Sequence, residues 1–159
     1  MQVANVHDRI LAAPVDEVAA LLATLGGARD RVWPKDRWPS MRLAGGLAEG
    51  SAGGHGPVGY RVTQVEDRVV RFSFLRPDGL HGDHWFEVIP VAGVSVLRHG
   101  LVARTTGAMR WQWPLVFRPL HDALIEDALD RAVEAVGGTP ERAGWSWRVR
   151  TLRRLVATG

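Results

Sequence analysis

The sequence predicts an α+β domain, on three observations. A strand-like run opens the chain, short alternating segments joined by tight turns fill its middle, and one long amphipathic stretch follows them. Strands that succeed one another through turns such as EDR, RPDG and VAG pair as an antiparallel meander. With 159 residues, 46% of them hydrophobic, the chain has the material for one sizeable core.

Each element follows from its own residues. From Val3 to Leu11, Val3, Asn5, His7 and Arg9 alternate with Ala4, Val6, Asp8 and Ile10, the period of a strand. Pro14 with Asp16 and Glu17 then starts a short helix through VAALLATL, which Gly26-Gly27 ends. ARDRVW (Ala28 to Trp33) is expected to form a second short helix, broken off by Pro34 and then Pro39. MRLAGGL (Met41 to Leu47) reads as a weak strand and EGSAGGHG (Glu49 to Gly56) as a flexible loop. That loop lacks the GxxxxGK[ST] order and has no lysine to reach a phosphate, so it is not a nucleotide loop. Strands are expected over Val58 to Val65, Val69 to Leu75, His84 to Val91 and Val94 to about Thr105. A long helix is expected from about Leu115 or Pro119 to Val136. Leu120, Leu124, Ala128 and Ala132 recur on one face, and Asp122, Glu126, Asp130 and Glu134 form an acidic stripe on another.

Three stretches carry a family resemblance: the opening strand with APVDEVAALLATL, the hairpin HWFEVIPVAGVSVLRH, and WPLVFRPLHDALIEDALDRAV. Together they resemble the START-like, Bet v 1-like (SRPBCC) superfamily, in its polyketide cyclase/dehydratase-like branch, over about residues 3 to 136. The resemblance implies a helix-grip fold. In it a curved antiparallel sheet of six or seven strands wraps around the long C-terminal helix, two short helices follow the first strand, and an apolar cavity lies between sheet and helix. The superfamily has no universal catalytic residues, so the resemblance speaks to fold more than to function. Residues 1–136 form the helix-grip domain in this reading, and residues 137–159 a basic, Trp- and Arg-containing tail.

Strand alternation decides which side chains face the cavity. In the last hairpin, a turn at Ala92-Gly93 sets Phe86 opposite His99 and His84 opposite Leu101. That register puts His84, Phe86, Val88, Leu97, His99 and Leu101 on the apolar face and sends Arg98 and Arg104 outward, and a slip of one residue would bury the arginines. In the preceding hairpin Tyr60 and Val62 share a face with Val70, Phe72 and Phe74, while Arg61, Thr63 and Arg71 point away. The expected ligand-binding set is therefore Tyr60, Val62, Phe72, Phe74, His84, Phe86, Val88, Leu97, His99 and Leu101 from the sheet, with Phe117, His121 and Leu124 from the helix.

Other chemistries find little support. The chain has no cysteine, which excludes thiolate nucleophiles, disulfides and Cys-based zinc sites. His81, Asp83 and Glu87 fall close together but on the outward face, with His84 on the opposite one, so no metal and no cofactor are expected. No serine lies in a G-x-S-x-G context. The net charge of +3 comes almost wholly from arginines scattered along the chain, with Lys35 the lone lysine, which argues against a nucleic-acid partner. No apolar run reaches the roughly 20 residues of a transmembrane helix, and MQVANVHDRI lacks a signal-peptide core, so a cytoplasmic protein is expected. In the tail, Trp145, Trp147 and Val149 alternate, and Leu152, Leu155 and Val156 with Arg153 and Arg154 suit a basic amphipathic helix. Packing of the tail on the body, against the acidic stripe, is favoured over contact with an anionic membrane surface.

Three functions remain open at this point. The leading one is binding of a small apolar or aromatic molecule (lipid-, polyketide- or isoprenoid-like) by a carrier or sensor. The second is a cyclase/aromatase- or dehydratase-like enzyme using His84, His99 and Tyr60, since an imidazole exchanges protons near neutrality. The third is an interaction module docking through its tail over a filled core.

Overall fold

The computed structural model describes residues 1–157, with the side chains of Val156 and Ala157 outside that description. Val156 and residues 158–159 of the expected tail helix therefore lie outside the described side chains. Seven strands form one antiparallel sheet: β1 (Gln2–Leu11), β2 (Arg42–Leu43), β3 (Ala52–His55), β4 (Val58–Glu66), β5 (Val69–Arg76), β6 (Leu80–Val91) and β7 (Val94–Thr105), in the order β1-β7-β6-β5-β4-β3-β2. The first strand thus returns to pair with the last, and the meander runs outward from it. Helix α1 (Val15–Leu22) follows β1. Beyond the sheet, α2 (Met109–Gln112), a π-helical segment (Trp113–Phe117) and α3 (Arg118–Ala135) run on as one unbroken helix, and α4 (Trp147–Ala157) ends the described chain. The sheet and the long helix make the helix-grip arrangement.

The expected register holds. Phe86 pairs with His99 and His84 with Leu101, Tyr60 with Phe74 and Val62 with Phe72, and β5 joins the two hairpins by setting Phe72 opposite His84. The inner residues Tyr60, Val62, Phe72, Phe86, Val88 and Leu97 are all buried. Outside, Arg71 stacks over the Trp85 ring at 4.7 Å. Trp85 lies so flat on β7 that a Cβ at Gly100 would stand 2.3 Å from it, so glycine there admits the ring.

Four local expectations are corrected. The ARDRVW segment is a chain of turns and not a second helix. Its organiser is the buried Asp30, whose carboxylate accepts from the backbone N–H groups of Gly26, Val32 and Trp33 at 2.7–2.8 Å. A short acceptor side chain that satisfies nearby amides competes with helix formation. The glycine-rich segment is not all loop: Ala52–His55 is β3, paired with β4. There Gly54 approaches β4 so closely that a Cβ would meet the Val58 carbonyl oxygen at 2.1 Å. The long helix begins at Met109 and not at Leu115 or Pro119. Pro114 and Pro119 read as breakers, but the wider π turn between them, closed by Arg118 N–H donating to the Trp113 carbonyl, accommodates rings that an α-turn would reject. The acidic stripe of α3 packs mainly against β1: Asn5 Nδ2 donates to Asp122 at 2.8 Å, and Arg9 bridges Asp130 at 2.6 Å and also Glu126.

Tail residues 145 to 153 also lie on the body. Val149 is buried in the core, Trp145 Nε1 donates to Asp127 at 3.0 Å, and Arg153 sits 3.8 Å above the Trp145 ring. Arg142 reaches the stripe at Glu134.

A histidine-lined apolar cavity as the candidate site

Between the sheet and the long helix lies a cavity of about 130 Å³. Phe74, Leu80, His84, His99 and Leu101 form its sheet wall, and Trp113, Val116, Phe117, Leu120, His121, Leu124 and Ile125 its helix wall. The loop residues Trp33, Trp38 and Pro39 and the β3–β4 turn, His55 to Val58, close one end. The π segment supplies three of the lining side chains, because its extra residue per turn rotates Trp113, Val116 and Phe117 toward the sheet.

Of the residues expected to bind ligand, Phe74, His84, His99, Leu101, Phe117, His121 and Leu124 line this space. Tyr60, Val62, Phe72, Phe86, Val88 and Leu97 do not. They share the face but are packed into the core beneath it. Alternation fixes the side of the sheet and not the depth at which helix and sheet close on each other. Sequence reasoning missed Trp33, Trp38, His55 and Trp113. His55 sits in a glycine-rich stretch with no readable period, and the two loop tryptophans arrive through the Asp30-ordered turns. Only the apolar character of the tryptophans could have signalled them.

The walls are apolar except for four imidazoles, those of His55, His84, His99 and His121. His84 stacks on Phe72 and Phe74, each 4.9 Å away, and meets Tyr60 edge-on at 5.0 Å. Its Nδ1 lies 3.4 Å from His99 Nε2, so the two rings share one proton-mediated contact. His55 Nδ1 lies 3.2 Å from the Tyr60 hydroxyl. The other nitrogens of the central pair, His84 Nε2 and His99 Nδ1, have no hydrogen-bond partner among the described residues. An unpartnered buried polar group costs about 1–3 kcal/mol, so a ligand hydroxyl or carbonyl that met them would recover a substantial interaction.

Burial also sets the charge state. Desolvation holds His84 and His99 well below the ordinary imidazole range, with neighbouring histidines adding to the effect. It lowers His55 to about 3. His121 is lowered by burial, against the opposing pull of Asp122. The Tyr60 hydroxyl is raised by burial and by Asp30 and stays protonated. At neutral pH the cavity therefore presents neutral imidazoles, each able to accept a hydrogen bond at one nitrogen and donate at the other.

The outward residues do not converge. Asp83 accepts from Ser73, His81 Nε2 lies 3.4 Å from the Thr106 hydroxyl, and Glu87 is opposite Arg98 on β7. Among the described residues, the His, Asp and Glu side chains that do bring three ligand atoms together are His7, His121 and Asp122, at the β1–α3 contact.

No protein-family model matches the sequence, and no curated protein matches it. Solved structures do. CalU16 from Micromonospora echinospora is 17% identical with a TM-score of 0.59, over 96% of this chain and 83% of that one. A norcoclaurine synthase from Thalictrum flavum, a point mutant with a bound transition-state analogue, is 14% identical with a TM-score of 0.62, over 87% and 98%. The di-domain ARO/CYC StfQ of the steffimycin biosynthetic pathway is 11% identical with a TM-score of 0.63, over 86% of this chain and 51% of that one. At these identities the likeness is one of fold alone: a curved antiparallel sheet gripping a long C-terminal helix.

Proposed function

We propose that the cavity binds a small molecule with an apolar or aromatic body and one hydroxyl or carbonyl group. The observation that carries this reading is an apolar space into which neutral imidazoles are built and where His84 and His99 each keep an unpartnered nitrogen. Apolar burial, about 25 cal/mol per Å² before association costs, would supply affinity, and the imidazoles would supply orientation. Size narrows the ligand. A cavity of about 130 Å³ is near the roughly 150 Å³ that holds one benzene ring, so the cavity as it stands suits a single-ring phenol or cyclic ketone. A polyketide, isoprenoid or lipid would need the Trp113–Phe117 wall to move outward. A carrier or sensor in the cytoplasm is the setting this reading favours.

Catalysis is the second reading, and the His84–His99 contact favours it. A neutral imidazole coupled to another can take a proton from a ligand carbon or hydroxyl and pass it on. Similarity to a norcoclaurine synthase and to a di-domain ARO/CYC supports this reading at the level of fold. The third reading, a docking module with a filled core, has less behind it, since a cavity is present and the tail packs on the body.

Native mass spectrometry of the purified protein, followed by calorimetric titration with simple phenols, tests the proposal. A retained or saturably bound ring compound is expected. His84→Gln and His99→Gln should each weaken it roughly tenfold, the worth of one good hydrogen bond. Affinities unchanged in both variants would refute the orientation by imidazole. Turnover of a bound compound that vanishes in these variants while binding persists would establish the enzyme.

A further inference from the structure

We propose that His7, His121 and Asp122 form a binding site for one divalent transition-metal ion of the zinc class, held between β1 and α3 at the edge of the cavity. His7 Nε2 lies 3.3 Å from Asp122 Oδ1, and His121 Nδ1 lies 3.6 Å from the same oxygen. One ligand atom from each residue falls within 4.8 Å of the other two. A tetrahedral zinc ion with bonds of about 2.0–2.2 Å spaces its ligand atoms about 3.3–3.5 Å apart. Both nitrogen–oxygen spacings are close to that, and rotation of the imidazole rings closes the third. Two imidazoles and one carboxylate suit zinc, cobalt or nickel, whereas magnesium and calcium favour all-oxygen sets.

The groups behind these ligands are also those a metal site needs. Glu126 Oε1 accepts from His7 Nδ1 at 2.7 Å, which leaves Nε2 as the coordinating nitrogen. This carboxylate–histidine pairing orients metal ligands. Arg9 in turn holds Glu126, and Asn5 Nδ2 steadies Asp122 Oδ1 at 2.8 Å. His121 Nδ1 is buried and has no hydrogen-bond partner among the described residues. An ion pair with Asp122 accounts for His7 at 3.3 Å but reaches His121 Nδ1 only at 3.6 Å, beyond hydrogen-bond length, whereas an ion would engage both rings. Asp122 and Glu126 are 37% and 44% exposed against 14% for His7, which gives an ion a route from solvent. Three protein ligands leave a fourth position for water or for an oxygen of a molecule in the adjoining cavity.

The test uses the full chain after treatment with a chelator. Cobalt(II) should bind with one-to-one stoichiometry and develop visible absorption bands, and zinc should displace it. Zinc should shift the ring nitrogen resonances of His7 and His121 in the unaltered protein and leave those of His81 in place, a readout that needs no variant to fold. His7→Ala, His121→Ala and Asp122→Asn should each weaken zinc binding more than tenfold, and Glu126→Gln, through the positioning of His7, by roughly tenfold or more. His81→Gln should bind as the parent does. No saturable one-to-one binding, shifts centred on other histidines, or affinity unchanged in the three ligand variants would overturn the site. Zinc and phenol titrations are read separately, so failure of the metal site is distinguishable from failure of the ligand-binding reading.

Discussion

The β6–β7 hairpin and strand β1 are neighbours in one sheet, share one period, and obey opposite rules. On the hairpin the inner face is apolar apart from His84 and His99 and, at the two ends of β7, Ser95 and Thr105, and arginines point outward. On β1 the inner face carries Asn5, His7 and Arg9, in register with Leu101, His99 and Leu97. Its apolar Val6 and Ile10 point outward and are 54% and 67% exposed. The difference is the opposing surface. The hairpin faces the cavity and the apolar side of the long helix, while β1 faces the stripe of Asp122, Glu126 and Asp130. Alternation states that a strand has two faces; only its partner states which face is inside. The histidines follow their walls. Burial drives the His84 pKa down, and hydrogen bonds to Asp122 and then Glu126 raise that of His7 against its own burial.

The two walls should fail differently when cut. Phe72→Ala on β5, where the ring pairs with His84 of the hairpin, removes a fully buried ring and is expected to cost about 3–5 kcal/mol, read from urea unfolding. A cost below about 1 kcal/mol would show that this wall is not close-packed. On the β1 side, Arg9→Met should cost about 2–4 kcal/mol, because it leaves the buried Asp130 without its cation. The distinguishing measurement is the double variant Arg9→Met/Asp130→Leu. Most of the loss should return there, since an apolar pair of similar volume commonly replaces an ion pair without penalty. No second substitution at a single partner would similarly rescue Phe72→Ala.

Proton linkage should separate the walls by pH. His55 and His84 have depressed folded pKa values, so below the unfolded value of about 6.5 the unfolded chain binds protons that the folded chain refuses. Stability attributable to them is therefore full above about 6.5 and falls on acidification, for His55 down to about 3. The slope is about 1.4 kcal/mol per pH unit for each such group. His7 runs the other way. Its pKa is raised on folding, so its contribution is full below about 6.5 and is lost as pH rises through the folded value. Urea titrations from pH 4 to 8 should show a shallower acid limb in His84→Gln and a smaller alkaline loss in His7→Gln. The same change in both variants would mean that the two histidines do not occupy opposite environments.

How much of this was legible in the sequence obeys the same division. The β6–β7 register could be read because a slip would bury Arg98 and Arg104, a penalty visible in the residues themselves. Four lining residues of the sheet, Phe74, His84, His99 and Leu101, came from reading strand faces. The sense of β1 was not legible, because it depends on a helix far along the chain: Arg9 and its partner Asp130 are 121 residues apart. The cavity's closed end was not legible either. Trp33 and Trp38 reach it through turns organised by Asp30, and such side-chain-to-backbone bonds leave no period to find. The π segment hid behind Pro114 and Pro119, whose ordinary meaning is a break.

The smallest effect is also the most direct test of the comparison. Ile10→Thr keeps a β-branched residue suited to a strand and exchanges apolar surface for a hydroxyl. Were Ile10 inside, as hydrophobicity alone suggests, the change would bury an unpaired polar group and cost well over about 1 kcal/mol. With Ile10 on the outer face of β1, stability should change by no more than about 0.5 kcal/mol in either direction. The inner neighbour supplies the contrast. Asn5→Val, apolar and compact, removes the donor to Asp122 and should destabilise by about 1–2 kcal/mol, although it makes the inner face more hydrophobic. If Asn5→Val stabilised and Ile10→Thr destabilised, the strand would be facing the other way, and the polar seam between β1 and α3, with the metal site placed in it, would fall together.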